Sequence, residues 1–328
     1  MVISNLIKEK SLFIPLYNWL IKKTKSKKFL VFLVSCLGGI LPIPGRVVIS
    51  SGLLDTIVSN EKTPSRSKFG VVDFLSTHHY YWWSPLEKTV IIPMAALGLT
   101  YLQFLQYVWV PLLIYGLIVF YYIFVSLKDD DIHINELKTE NKKSIILSTL
   151  PIIISVALMC FNIEAYYIFP VTLLYYVVYC KEFNLKKLFK YVNWKLVLLT
   201  AIIIFVSELL SSKSSIILNY LKDLTVVLNI HTVSGFSIIS IISFTISFIL
   251  GSSSKYAGIV TLLTSLFGIS YLTFFLTLEF FAYILSPTHK CVLISSTYFN
   301  TPLRYYYKIL FILGTSLLSY GVISILLH

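Results

Sequence analysis

Two breaker-rich strings interrupt long apolar runs in this chain, one in each half. The first, Leu41-Pro42-Ile43-Pro44-Gly45-Arg46, ends a run that begins at Phe29. The second, Gly251-Ser252-Ser253-Ser254-Lys255-Tyr256-Ala257-Gly258, is wedged between the apolar residues 244–250 and 259–263. A helix broken inside hydrocarbon frees amide and carbonyl groups that lipid cannot satisfy. Such a break must be covered by protein or line a wet cavity. Breaks in corresponding places of two halves are the strongest sequence pointer to a transporter binding site.

Composition makes the membrane the solvent to argue from. Of 328 residues, 57% are apolar and 13% charged, against roughly 25% charged in a soluble domain. Apolar runs lie near 29–41, 89–105, 107–127, 144–160, 165–180, 196–210, 233–250, 256–275, 268–286 and 305–327. A span needs about 20 apolar residues, so the shorter runs are half-spans or borrow flanking residues. The expected fold is all-α and polytopic, with about eight to ten membrane segments in two inverted repeats, each containing a re-entrant or broken helix. The chain divides into an amphipathic basic N-terminal segment (1–28), a first membrane half (29–127), a polar linker (128–143) and a second membrane half (144–328).

The net charge of +12 is placed at membrane ends. Lys22, Lys23, Lys25, Lys27 and Lys28 precede the first run, and Lys181, Lys186, Lys187, Lys190 and Lys195 lie between two others. Basic clusters so placed face the anionic cytoplasmic leaflet, and no nucleic-acid partner is expected. Cys36, Cys160, Cys180 and Cys291 are far apart with no CxxC, so neither a disulfide framework nor a metal is indicated. Asp129-Asp130-Asp131 lacks the remaining ligands of a calcium loop.

Gly251, Ser252, Ser253, Ser254 and Lys255 are the sharpest substrate-site candidates. Glycine admits a ligand close to backbone, and the hydroxyls both donate and accept. A helix starting after the string directs its positive dipole end at an anion, and Lys255 adds a full charge. Pro42, Pro44, Gly45 and Arg46 are the counterpart, with Arg46 suited to bidentate capture of a carboxylate. Glu279 lies in an otherwise apolar run apart from threonine. A carboxylate there has to be paired, protonated or facing water, which makes it a candidate H+ or Na+ coupling group, or a partner for a base such as Lys255.

Each half also carries a Ser-Pro with nearby histidine: Ser84-Pro85 after His78 and His79, and Ser286-Pro287-Thr288-His289. His79, Ser286, Thr288 and His289 are therefore further ion-coupling candidates. Adjacent His78 and His79 point to different helix faces, which argues against joint metal binding. No nucleophile elbow, P-loop or dinucleotide fingerprint is present, and no enzyme or cofactor is expected beyond a coupling ion. An intramembrane enzyme would need His78, His79 and His289 to converge.

Gly38-Gly39-Ile40-Leu41-Pro42-Ile43-Pro44-Gly45, the helix carrying His79 and Pro85, and the string from Leu285-Ser-Pro-Thr-His289 to Tyr298-Phe299 together resemble an uncharacterised prokaryotic integral membrane family. That family is grouped with the ion transporter superfamily of gluconate permeases, citrate and dicarboxylate carriers, arsenite pumps and sodium/proton antiporters. The resemblance implies two inverted halves whose re-entrant hairpins meet near the membrane centre, a location in the cytoplasmic membrane, and, by analogy, a homodimer. The chain departs from the pattern at Arg46, where a small residue is usual. The expectation is a secondary active transporter of a small anionic solute, coupled to Na+ or H+. The alternative is a non-transporting scaffold or subunit derived from a carrier fold.

Overall fold

A computed structural model describes residues 64–85, 87–127, 142–161, 163, 165–192 and 232–327, most of 14–39, and isolated positions 3, 6, 10, 12, 54, 194, 198, 201 and 202. Among these residues every regular element is helical, so the all-α class expected from composition is observed. The linker up to residue 141 and most of the 196–210 run lie outside the described residues, and the last two linker positions, 142 and 143, already belong to a helix.

Helices α1 (Ile14–Lys23) and α2 (Lys27–Gly39) precede α3 (Pro64–His78) and the short α4 (Tyr80–Trp83). Next come α5 (Lys88–Leu97) and α6 (Tyr101–Ser126). The sequence runs 89–105 and 107–127 suggested a division near residue 106. It falls instead at Gly98–Thr100, because Gly98 takes a left-handed conformation (φ 65°) and Thr100 begins a capping box. The Thr100 hydroxyl accepts from the Gln103 amide at 3.3 Å, and the Gln103 side chain accepts from the Thr100 amide at 2.9 Å. Two otherwise orphaned donors are thus satisfied, which fixes the helix start. At the other end of α6, Lys28 and Lys68 donate to the Phe124 and Ser126 carbonyls at 3.0 and 2.7 Å. Cations there offset the negative end of the helix dipole.

Helices α7 (Lys142–Cys160) and α8 (Ala165–Tyr179) form a pair, joined where the Tyr175 and Tyr176 hydroxyls donate to the Leu147 and Ser148 carbonyls. After the short α9 (Leu185–Lys190) come α10 (Val233–Leu250), α11 (Ser253–Phe267), α12 (Leu272–Leu285), α13 (Lys290–Tyr298) and α14 (Leu303–Leu326). Gly268, at φ 109°, separates α11 from a single 3-10 turn that leads into α12.

Among the described residues, α6, α10 and α14 are long and apolar enough to cross a membrane. The α12 segment and α13, bent by 41° at their junction, make a fourth if the pair counts as one span. Their outer faces suit lipid. On α6, Trp109, Leu113, Leu117, Phe120 and Tyr121 are exposed, as are Ile238, Ile241, Ile242 and Ile249 on α10. In water that surface would be a large uncovered apolar patch; in hydrocarbon it is the required exterior.

Helix α12 is the axis of the bundle. Every residue from Leu272 to Ile284 is buried, with α10, α11, α14 and α6 packed around it. Helix α14 approaches closest through two glycines. A methyl at Gly314 would overlap the Phe281 ring, and one at Gly321 would overlap the Thr277 hydroxyl and lie 3.2 Å from the Phe274 Cα. Lipid tails give helices no hydrophobic reason to associate, so close contact through small residues supplies the attraction.

Candidate functional site

The second breaker string is a genuine interruption. Helix α10 ends at Gly251, whose φ of 52° no L side chain adopts readily, and α11 begins at Ser253. Its N-cap, Ser252, makes no side-chain cap; its hydroxyl instead lies 3.3 Å from that of Ser254. The first amides of α11 therefore lack the usual serine cap. Ser252, Ser253 and Ser254 are half-buried, and Lys255 is exposed.

This break meets another. Ser286 and Thr288 occupy the junction of α12 and α13, and Thr288 donates to the Ile249 carbonyl at 3.1 Å. The two hydroxyls are 2.9 Å apart, and the Ser286 oxygen also accepts from the Thr288 amide at 3.2 Å. A methyl at Gly251 would overlap the Thr288 hydroxyl and stand 2.6 Å from that of Ser286. Glycine is needed here for both its conformation and its size. The structure thus brings Gly251, Ser286 and Thr288 together. Pro42, Pro44, Gly45 and Arg46 lie outside the described residues.

Glu279 is fully buried at the centre of α12. Ser243 and Ser247 of α10 turn toward its carboxylate, although neither carboxylate oxygen has a partner at normal hydrogen-bond distance among the described residues. Ser247 is itself buried, and its carbonyl accepts the Gly251 amide at 3.0 Å. One helical turn, about 5.4 Å of rise, therefore separates the carboxylate's serine neighbour from the break. The proposed pairing of Glu279 with Lys255 is not formed: Lys255 is on the exposed face of α11. Ser243 and Ser247 stand four residues apart in an apolar run, a helical spacing that the sequence carries.

The histidines separate. His79 is held by Trp83, whose indole donates to its Nδ1 at 2.8 Å, and its ring lies against Tyr80. His78, one residue earlier, faces a different side of the helix and meets His289 with 3.3 Å between their Nε2 atoms. Cys291 lies beside this pair. Sequence reasoning placed His79 with His289. The partner is His78, because successive side chains on a helix diverge by about 100° and the inward face is set by packing of Phe74 and His78 against the α12–α13 junction. Of the three histidines, His78 and His289 meet, and His79 is held by Trp83 instead.

The family model described as "Protein of unknown function (DUF401)" matches residues 21–327. The chain belongs to the DUF401 family. The match takes in the whole second breaker string, Glu279 and the α12–α13 junction, so these features lie within the DUF401 region. No curated protein and no solved structure matches the chain.

Proposed function

We propose that this DUF401 protein is a secondary active transporter of a small anionic solute, coupled to Na+ or H+. The observation that carries the reading is Glu279: a carboxylate with no exposed surface, in the middle of the central helix, beside two serines of which Ser247 stands one turn from a helix break. An ionisable group at that depth is costly and is retained where it binds an ion or proton. The carboxylate and the Ser243 and Ser247 hydroxyls offer only oxygen, the ligand chemistry of a hard cation. The adjacent break supports the substrate half of the reading. Uncapped amides at the start of α11 and the hydroxyls of Ser252, Ser254, Ser286 and Thr288 favour an anion.

On this reading, the 42–46 string completes the substrate site from the other half. The two interrupted segments belong to inverted, re-entrant halves that alternate access around it. The relation to the ion transporter superfamily belongs to the same proposal. The test is protein in liposomes under an inward Na+ or H+ gradient, with current measured on adding carboxylates, phosphate or arsenite. A solute-dependent current that requires Glu279 supports the carrier. Silence from folded protein across the panel favours a scaffold derived from a carrier fold.

A further inference from the structure

His78, His289 and Cys291 converge from residues more than 200 positions apart in the chain, and their ligating atoms all lie within 4.8 Å of one another. Both histidines are buried, and Cys291 is half-buried. The hydrogen bonds around the rings fix which nitrogens face each other. His78 Nδ1 lies 2.6 Å from the Phe74 carbonyl, and His289 Nδ1 lies 3.1 Å from the Tyr283 carbonyl. A carbonyl oxygen only accepts, so each Nδ1 carries the proton. In the neutral rings each Nε2 is therefore the lone-pair nitrogen, and these two atoms are 3.3 Å apart. Two lone pairs at that distance repel unless a proton or a cation sits between them.

The spacing suits a metal ion. Two metal–nitrogen bonds of about 2.0–2.1 Å spanning 3.3 Å subtend roughly 104–111°, close to the tetrahedral angle. The Nδ1–H donation to a carbonyl is the outer contact that orients metal-bound histidine and raises its basicity. In a tetrahedral site a thiolate sulfur stands roughly 3.5 Å from each nitrogen. Cys291 therefore needs to close by little more than about 1 Å. Stacking of Phe74 on His78 and of Tyr283 on His289 encloses the pair in aromatic surface.

The structure assigns a transition-metal site to His78, His289 and Cys291, taking a borderline or soft cation of the Zn2+ class. Imidazole and thiolate select such an ion over Na+, K+, Mg2+ or Ca2+. Binding displaces the thiol proton of Cys291, leaves the fourth position to a small ligand, and clamps the end of α3 to the α12–α13 junction. The site is separate from the Glu279 oxygen cluster and does not depend on the carrier reading. A chain that moves no solute can hold it, and a carrier can lack it.

The test uses the full chain in detergent, free of affinity-tag histidines, stripped with EDTA and titrated with Co2+ and then Zn2+. Expected are about one Co2+ per chain, intense ligand-field bands of a tetrahedral ion, a sulfur-to-cobalt charge-transfer band, and displacement by Zn2+. His289→Ala is expected to weaken binding by more than the roughly 10–100-fold that loss of an outer-shell partner costs. Because that variant removes a buried ring, Cys291→Ser provides an independent readout: it retains the fold and loses the charge-transfer band. Folded wild-type protein that takes up neither metal would overturn the assignment. So would wild-type binding and spectra in both variants, folded by circular dichroism.

Discussion

Thr288 donates its hydroxyl to the Ile249 carbonyl at 3.1 Å, tying the α12–α13 junction to the last turn of α10. A carbonyl near a helix end has no amide partner of its own within the helix. Here it is satisfied by a residue that itself sits in a helix break. The two interruptions thus pack against each other. Ser286 also lies against Gly251, and Ser247, one turn before that break, lies beside Glu279.

Gly251→Ala probes this junction. The methyl adopts a left-handed backbone at a cost of about 1–2 kcal/mol and also overlaps the Thr288 hydroxyl. A lower thermal midpoint in detergent is expected, and a loss also in Thr288→Val, which keeps the shape and forfeits the hydroxyl's contacts with the Ile249 carbonyl and the Ser286 hydroxyl, hydrogen bonds worth about 1 kcal/mol each. Equal stability of Gly251→Ala and wild type would show that the two breaks do not pack as described.

On the carrier proposal, Glu279→Gln separates ion coupling from architecture. The amide is nearly isosteric and removes a charge that is expensive to bury, so unfolding stability is expected to be equal to or above that of wild type. Gradient-driven solute uptake is expected to fall to background, while Glu279→Asp retains part of it. Gradient-driven uptake by Glu279→Gln at the wild-type rate would remove Glu279 from the coupling step.

The long apolar helices were legible because membrane burial requires nothing subtler than composition: α10 ends where the 233–250 run ends, and α14 follows the 305–327 run within a few residues. Gly251 was legible for the same kind of reason, since few other residues end a helix in a left-handed turn. The partner of His289 was not. His78 and His79 are equivalent in composition, and only the rotation of α3 against α13 decides which faces inward. Ser243 and Ser247, beside Glu279, have helical spacing, but nothing in a single sequence says that α10 is the helix beside α12.

Gly314 tests the close contact of the two most intimately packed helices. Gly314→Ala puts a methyl into the Phe281 ring, which is confined between α10 and α14 and cannot simply rotate away. Overpacking of this kind costs about 1–3 kcal/mol, and thermal unfolding should detect it. Phe281→Leu in the Gly314→Ala background is expected to recover part of the loss, because the smaller side chain opens room for the methyl. No recovery would place the strain elsewhere.

Glu182 gives a pH dependence at the edge of the fold. Its carboxylate lies 2.9 Å from the Lys187 ammonium and 3.1 Å from that of Lys10. The hydrogen bond from Lys187, followed by that from Lys10, holds its pKa below the usual carboxylate value. A group whose pKa is depressed by folding favours the folded state once it is ionised in both states. Its contribution is fully present above the unfolded pKa of about 4.3 and is lost as pH falls through the lower folded value. The stability difference between wild type and Glu182→Gln is therefore expected to be constant at neutral pH, to shrink below about pH 4.3, and to narrow with added salt, which screens pairs near the surface. Thermal midpoints of both proteins across acidic pH check it; a difference that grows on acidification would give the interaction the wrong sign.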